Sequence, residues 1–150
     1  MKAKEIPVFD LIKRSVITVE PDAPIQAAAH LMKEEGIGCL VVMDGRDPVG
    51  MLTERDFVTK IIAEGRPYHT IRVQDVMSSP LLTISPDTSV FTAAEKMVEL
   101  GVRRFPVMDE SKILGVITET DLLQFSPDLI EVTRAYLPAD EGQEAGGIYF

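Results

Sequence analysis

Three features of the sequence predict an α+β fold of two tandem β-α-β-β-α units packed as a pseudo-twofold pair. Residues 8–57 align with residues 73–122 without a gap, and 17 of the 50 paired positions are identical. Each half alternates short β-prone runs with stretches of helical periodicity. Each half also carries the same seven-residue pattern, Gly50-Met51-Leu52-Thr53-Glu54-Arg55-Asp56 in the first and Gly115-Val116-Ile117-Thr118-Glu119-Thr120-Asp121 in the second. A period of this length is a whole supersecondary unit and not one turn of a solenoid.

The elements follow in order. Val16-Ile17-Thr18-Val19 is a short β-prone run closed by Glu20-Pro21-Asp22. Pro24 sits where a first helical turn tolerates proline, and Ile25, Ala28, Ala29 and Met32 recur at helical spacing until Gly36. Val90, Ala93, Ala94, Met97 and Gly101 repeat that pattern. A stripe of this kind is read as core or dimer surface, not as a cofactor box. The apolar runs Cys39–Met43 and Pro48–Leu52 flank Asp44-Gly45-Arg46-Asp47, which reads as a hairpin turn. Phe105–Met108 and Ile113–Ile117 do the same about Asp109-Glu110-Ser111-Lys112. A second helix follows each hairpin, carrying Phe57, Val58, Ile61 and Ile62 or Leu122, Leu123 and Phe125. The first repeat is expected over 8–64, a linker over 65–72, the second repeat over 73–125, a C-terminal helix over 126–137 and a flexible acidic tail over 138–150.

Composition limits the function classes. The 150 residues suffice to bury a core, with 45% hydrophobic and 26% charged residues. A formal net charge of −9 gives a field that repels nucleic acid and anionic membrane surfaces. The single cysteine, Cys39, lies in an apolar run and has no intrachain partner, so a buried thiol in a reducing compartment is expected. No apolar run reaches membrane-spanning length and no secretory core follows Met1. A cytoplasmic location is the expectation.

Chemistry concentrates at the repeated pattern. Strand leads into helix there, and residues three apart lie within one turn, so the Thr53 hydroxyl and Asp56 carboxylate point the same way, as do Thr118 and Asp121. Such a pair suits a neutral polyol such as a ribose. The same residue types also cap helices, engaging orphan amides for about 1 kcal/mol each, and duplication copies a cap as faithfully as a site. His30 and His69 have no cysteine or acid at metal-ligand spacing, and neither a phosphate-binding glycine loop nor a serine elbow is present. No enzyme activity, metal site or required cofactor is expected.

The tandem units, the Thr-x-x-Pro-Asp opening and the hairpin running into Gly-x-x-Thr-x-x-Asp resemble a pair of cystathionine β-synthase (CBS) domains, or Bateman module, over residues 8 to about 125. That resemblance implies two clefts between the repeats that take adenosine-containing ligands. AMP, ADP and ATP lead, with S-adenosylmethionine and NAD(H) behind them. It implies ribose contacts from Asp56 and Asp121 with Thr53 and Thr118 beside them, base contacts from Thr18 and Thr83, and a slot lined by Ile37 and Val102. Arg103, Arg104 and Pro106 match the family's arginine-proline strand, whereas the first repeat reads Gly38-Cys39-Leu40-Val41. Arginine forks match phosphate oxygens, so Arg103 or Arg104 is a candidate for a 5′-phosphate and the two sites are expected to be unequal. The alternative for these arginines is pairing with the protein's own carboxylates. Arg55 and Arg66 are further candidates.

The function so expected is a regulatory, ligand-sensing module that signals through shape or partner affinity, acts on an unidentified effector protein and forms a homodimer through its amphipathic helices. The alternative is a ligand-free interaction scaffold.

Overall fold

The computed structural model describes residues 4–12 and 16–125. The helix expected over 126–137 and the tail 138–150 lie outside the described residues. The chain divides into two compact units, one of residues 16–82 and the other of residues 4–12 with 83–125.

In the first unit the order is β1 (Thr18–Val19), α1 (Ile25–Glu35), β2 (Cys39–Asp44), β3 (Asp47–Thr53) and α2 (Glu54–Phe57). A π-helical turn (Val58–Ile62) continues α2, and α3 (Val73–Val76) follows a 3-10 turn at Tyr68–Thr70. Strand β1 runs parallel to β2, and β2 pairs antiparallel with β3 across the two-residue loop Gly45-Arg46. Helix α1 stops at Gly36, whose φ of 63° is the left-handed conformation that glycine adopts without a Cβ penalty. Ile25, Ala28 and Met32 of α1 pack with Leu40, Val42 and Leu52 of the sheet. Burying each large aliphatic side chain of that set contributes ~1.5–3 kcal/mol.

The second unit repeats the plan with α4 (Val90–Leu100), β4 (Arg104–Asp109), β5 (Lys112–Thr118) and α5 (Glu119–Phe125). The opening strand is reduced here to a single parallel bridge between Ile84 and Val107, so Thr83 belongs to no strand. Val90, Ala93, Ala94 and Met97 join Phe105, Val107 and Ile117 in one core. The stripe of each helix is therefore core, except that Ala29 is only half-buried and Ile25, Ala28 and Met32 are its buried members in the first unit.

The compact units are not the sequence repeats. Val73 and Val76, which open the second repeat, are buried in the first unit's core, and the Val73 and Gln74 amides donate to Ala23 and Pro21 carbonyls at 3.0 and 2.8 Å. Ile6, Val8 and Leu11 are buried in the other core, where the Val8 amide donates to the Thr88 carbonyl at 2.8 Å. Each repeat's opening segment thus completes the other repeat's core. The boundaries 8–64 and 73–125 follow the duplication of the sequence, whereas packing follows the apolar face of these short segments.

The same exchange explains Gly50. Met51 pairs with Ser78, their amides and carbonyls bonding at 2.9 and 3.0 Å. A Cβ on Gly50 would lie 2.7 Å from the Ser78 carbonyl oxygen and 2.9 Å from the Met77 sulfur. That glycine answers a backbone approach.

Candidate functional site

Each hairpin has a core face and a second face. In β4, Phe105 and Val107 point into the core while Arg104 and Pro106 alternate to the other side, following the two-residue period of a strand. Arg104 lies directly opposite Thr118 of β5, and Pro106 opposite Val116. Directly opposed residues share a face, with Cβ atoms about 4.5–5.5 Å apart. The strand pairing thereby brings Arg104 to Thr118, and α5 starts at the next residue. In the first unit the same position opposite Thr53 belongs to Cys39. Cys39 is half-buried and not fully buried, because it stands at the start of β2 on the side away from the core.

The two Thr-x-x-Asp corners begin alike. The Thr53 amide donates to Asp56 Oδ2 at 2.8 Å, and the Thr118 amide donates to Asp121 Oδ2 at 3.0 Å. Each aspartate therefore caps its helix through one oxygen. The remaining groups differ. In the first corner the Thr53 hydroxyl donates to Asp56 Oδ2 at 3.3 Å, and Lys60 Nζ stands 2.9 Å from Oδ1. Lys60 also donates to the Val76 carbonyl at 2.8 Å. The Asp56 side chain is 7% exposed, so its charge is buried and paired. In the second corner the Thr118 hydroxyl accepts from the Asp121 amide at 3.2 Å. Among the described residues Asp121 Oδ1 has neither a hydrogen bond nor an ion pair. Four residues beyond Asp121 stands Phe125 where the first corner has Lys60.

The other residues expected from the sequence sort themselves around these corners. Arg103 is exposed, with its Nε 3.9 Å from a Glu119 carboxylate oxygen. Arg104 is half-buried and makes no hydrogen bond or ion pair among the described residues. Arg55 is exposed on α2, and Arg66 reaches back to the Lys60 carbonyl at 3.4 Å. Thr18 pairs with Val41 in the sheet and leaves its side chain exposed, and Thr83 is likewise exposed. Ile37 and Val102 are half-buried against their respective cores. Pro106 is buried, and its carbonyl accepts the Ile84 amide at 3.1 Å.

Two contributors were not singled out from the sequence. Lys60 could have been found from the acid-to-lysine spacing of four on a helix. Ser85, in the Thr-x-x-Pro-Asp opening, donates its hydroxyl to the Asp87 carboxylate. That bond, with help from a backbone amide, holds the Asp87 carboxyl below the usual carboxylate range. Among the described residues no group of three His, Cys, Asp or Glu is placed to hold a metal ion, and no helix is long and apolar enough to cross a membrane.

Two α+β repeats with a polar corner on each hairpin define the class, a tandem-repeat α+β protein. The chain belongs to the CBS domain family, whose model matches residues 8–63 and again 73–128. It is 36% identical over 129 residues to an uncharacterized protein of Methanopyrus kandleri, covering 85% of this chain and 66% of that protein. It is also 36% identical over 115 residues to the CBS domain-containing protein YhcV of Bacillus subtilis, covering 77% of this chain and 81% of that one. The structure of a putative signal-transduction protein with CBS domains from Burkholderia ambifaria is similar at a TM-score of 0.70 and 34% identity, over 77% of this chain and 85% of that one. CBS-domain pairs are generally regulatory modules.

Proposed function

We propose that this chain senses an adenine nucleotide, AMP, ADP or ATP, and passes the signal by changing shape or affinity for an effector protein, without catalysing a reaction. One observation carries the reading: Arg104 stands across from Thr118, and Asp121 beside it keeps a carboxylate oxygen open among the described residues. An anionic acceptor for ribose hydroxyls and a guanidinium for phosphate are the two polar ends that a nucleotide requires. Val102, and Thr83 at the opening of the same repeat, are proposed to border the base, with Pro106 on the same strand face as Arg104. In the first repeat the corresponding residues are Thr18, Ile37, Thr53 and Asp56, with Cys39 in the place of Arg104 and Arg55 as a further candidate cation. Arg103 serves as a second cation near the phosphate. Homodimerisation and a cytoplasmic location belong to the same proposal.

Calorimetric titration with AMP, ADP, ATP, S-adenosylmethionine and NADH tests it. Saturable binding of one of the three nucleotides is expected, and Asp121→Ala should weaken it ~10- to 100-fold, the value of a charge-assisted hydrogen bond. Unchanged affinity in that variant overturns the site. A ligand-free scaffold is the second reading, favoured by the first corner, where both carboxylate oxygens of Asp56 already have partners within the protein.

A further inference from the structure

Lys60 pairs with the Asp56 oxygen whose counterpart on Asp121 is open among the described residues. Its ammonium lies 2.9 Å from Asp56 Oδ1 and 2.8 Å from the Val76 carbonyl, so it bridges the corner to the end of α3. The other oxygen of Asp56 takes the Thr53 amide and hydroxyl. A ribose hydroxyl arriving there is neutral, and it would have to compete with an ion pair, the stronger bond, at a carboxylate only 7% exposed. The opposed strand residue is Cys39, which offers no charge to a phosphate. At the second corner Phe125 cannot donate, and Asp121 Oδ1 stays open among the described residues.

We infer that Lys60 is an internal plug that closes the first repeat's corner, so that the chain takes one nucleotide, at the second repeat. The inference rests on the nucleotide-binding reading and adds to it the residue that sets the stoichiometry. It makes the duplicated motif do two jobs: a permanently closed joint in one repeat and a ligand contact in the other.

The test is calorimetric titration of the full chain with AMP and with ATP, in the wild type and in two reciprocal variants. The wild type should bind about one equivalent, by the count of open corners. Lys60→Met should bind a second, because Asp56 Oδ1 is then free. Phe125→Lys, at an exposed position, should weaken the single wild-type site ~10- to 100-fold by placing an ammonium at Asp121. Circular dichroism confirms that each variant is folded, and Phe125→Lys decides alone should Lys60→Met unfold. Two equivalents in the wild type, or affinity untouched by Phe125→Lys, overturn the plug and leave the nucleotide reading standing. Heat from neither AMP nor ATP in any of the three proteins overturns both.

Discussion

Residues 53–60 and 118–125 start from one motif and reach different chemistry. Both aspartates cap a helix through Oδ2 at nearly the same distance. What separates them is a side chain four residues on: lysine in the first corner, phenylalanine in the second. A cap engages one carboxylate oxygen, and whatever the helix presents next decides the other. A duplicated motif therefore keeps its cap while one copy's second carboxylate oxygen is paired within the protein and the other's stays open among the described residues.

The largest expected effect breaks the comparison at its structural end. Asp56→Ala removes a cap and leaves the Lys60 ammonium without its buried partner, so urea denaturation should show a loss of about 3 kcal/mol. Asp121→Ala removes only the cap and should lose about 1 kcal/mol. Equal losses would mean that Lys60 adds nothing to the first corner. Next in size is Gly50→Ala, whose new methyl meets the Ser78 carbonyl and the Met77 sulfur. The carbonyl cannot move without breaking the Met51–Ser78 pairing, so a loss of about 2 kcal/mol is expected in the same assay. A neutral result would show that the exchanged segment can shift aside.

The smallest effect compares the two Pro-Asp openings, Glu20-Pro21-Asp22 and Ser85-Pro86-Asp87. The Ser85 hydroxyl depresses the Asp87 carboxyl, and a depressed folded-state value stabilises the fold above the unfolded carboxyl's titration and loses that contribution as pH falls through the folded one. Ser85→Ala should raise the Asp87 titration towards the ordinary range, as followed by carbon-detected NMR. The variant's stability deficit should be present at neutral pH and disappear in acid. A titration unmoved by the substitution would assign the depression to the backbone amide instead.

Much of the fold was legible because its signals are local. The gapless duplication, the helical stripes Ile25-Ala28-Met32 and Val90-Ala93-Ala94-Met97, and the two hairpins are properties of neighbouring residues, and each appears where the sequence puts it. The opening strand shortened to Thr18–Val19, and to one bridge at Ile84, because one or two residues pair with the hairpin there. The corners were legible as Thr-x-x-Asp pairs. Their difference was not, because whether an aspartate's second oxygen is engaged depends on where a flexible lysine end comes to rest.

By itself, then, the sequence determined the repeats, the order of elements, the core stripe of each long helix and the residues of both corners, since all of these follow from chain-local spacing and periodicity. Tertiary structure alone decided that each repeat's opening segment is buried in the other's core, that Gly50 faces the backbone of Ser78, and that Lys60 joins Asp56 to the Val76 carbonyl sixteen residues away. Those outcomes depend on segments far apart in the chain meeting to bury apolar surface and pair their polar groups, and no local spacing encodes that meeting.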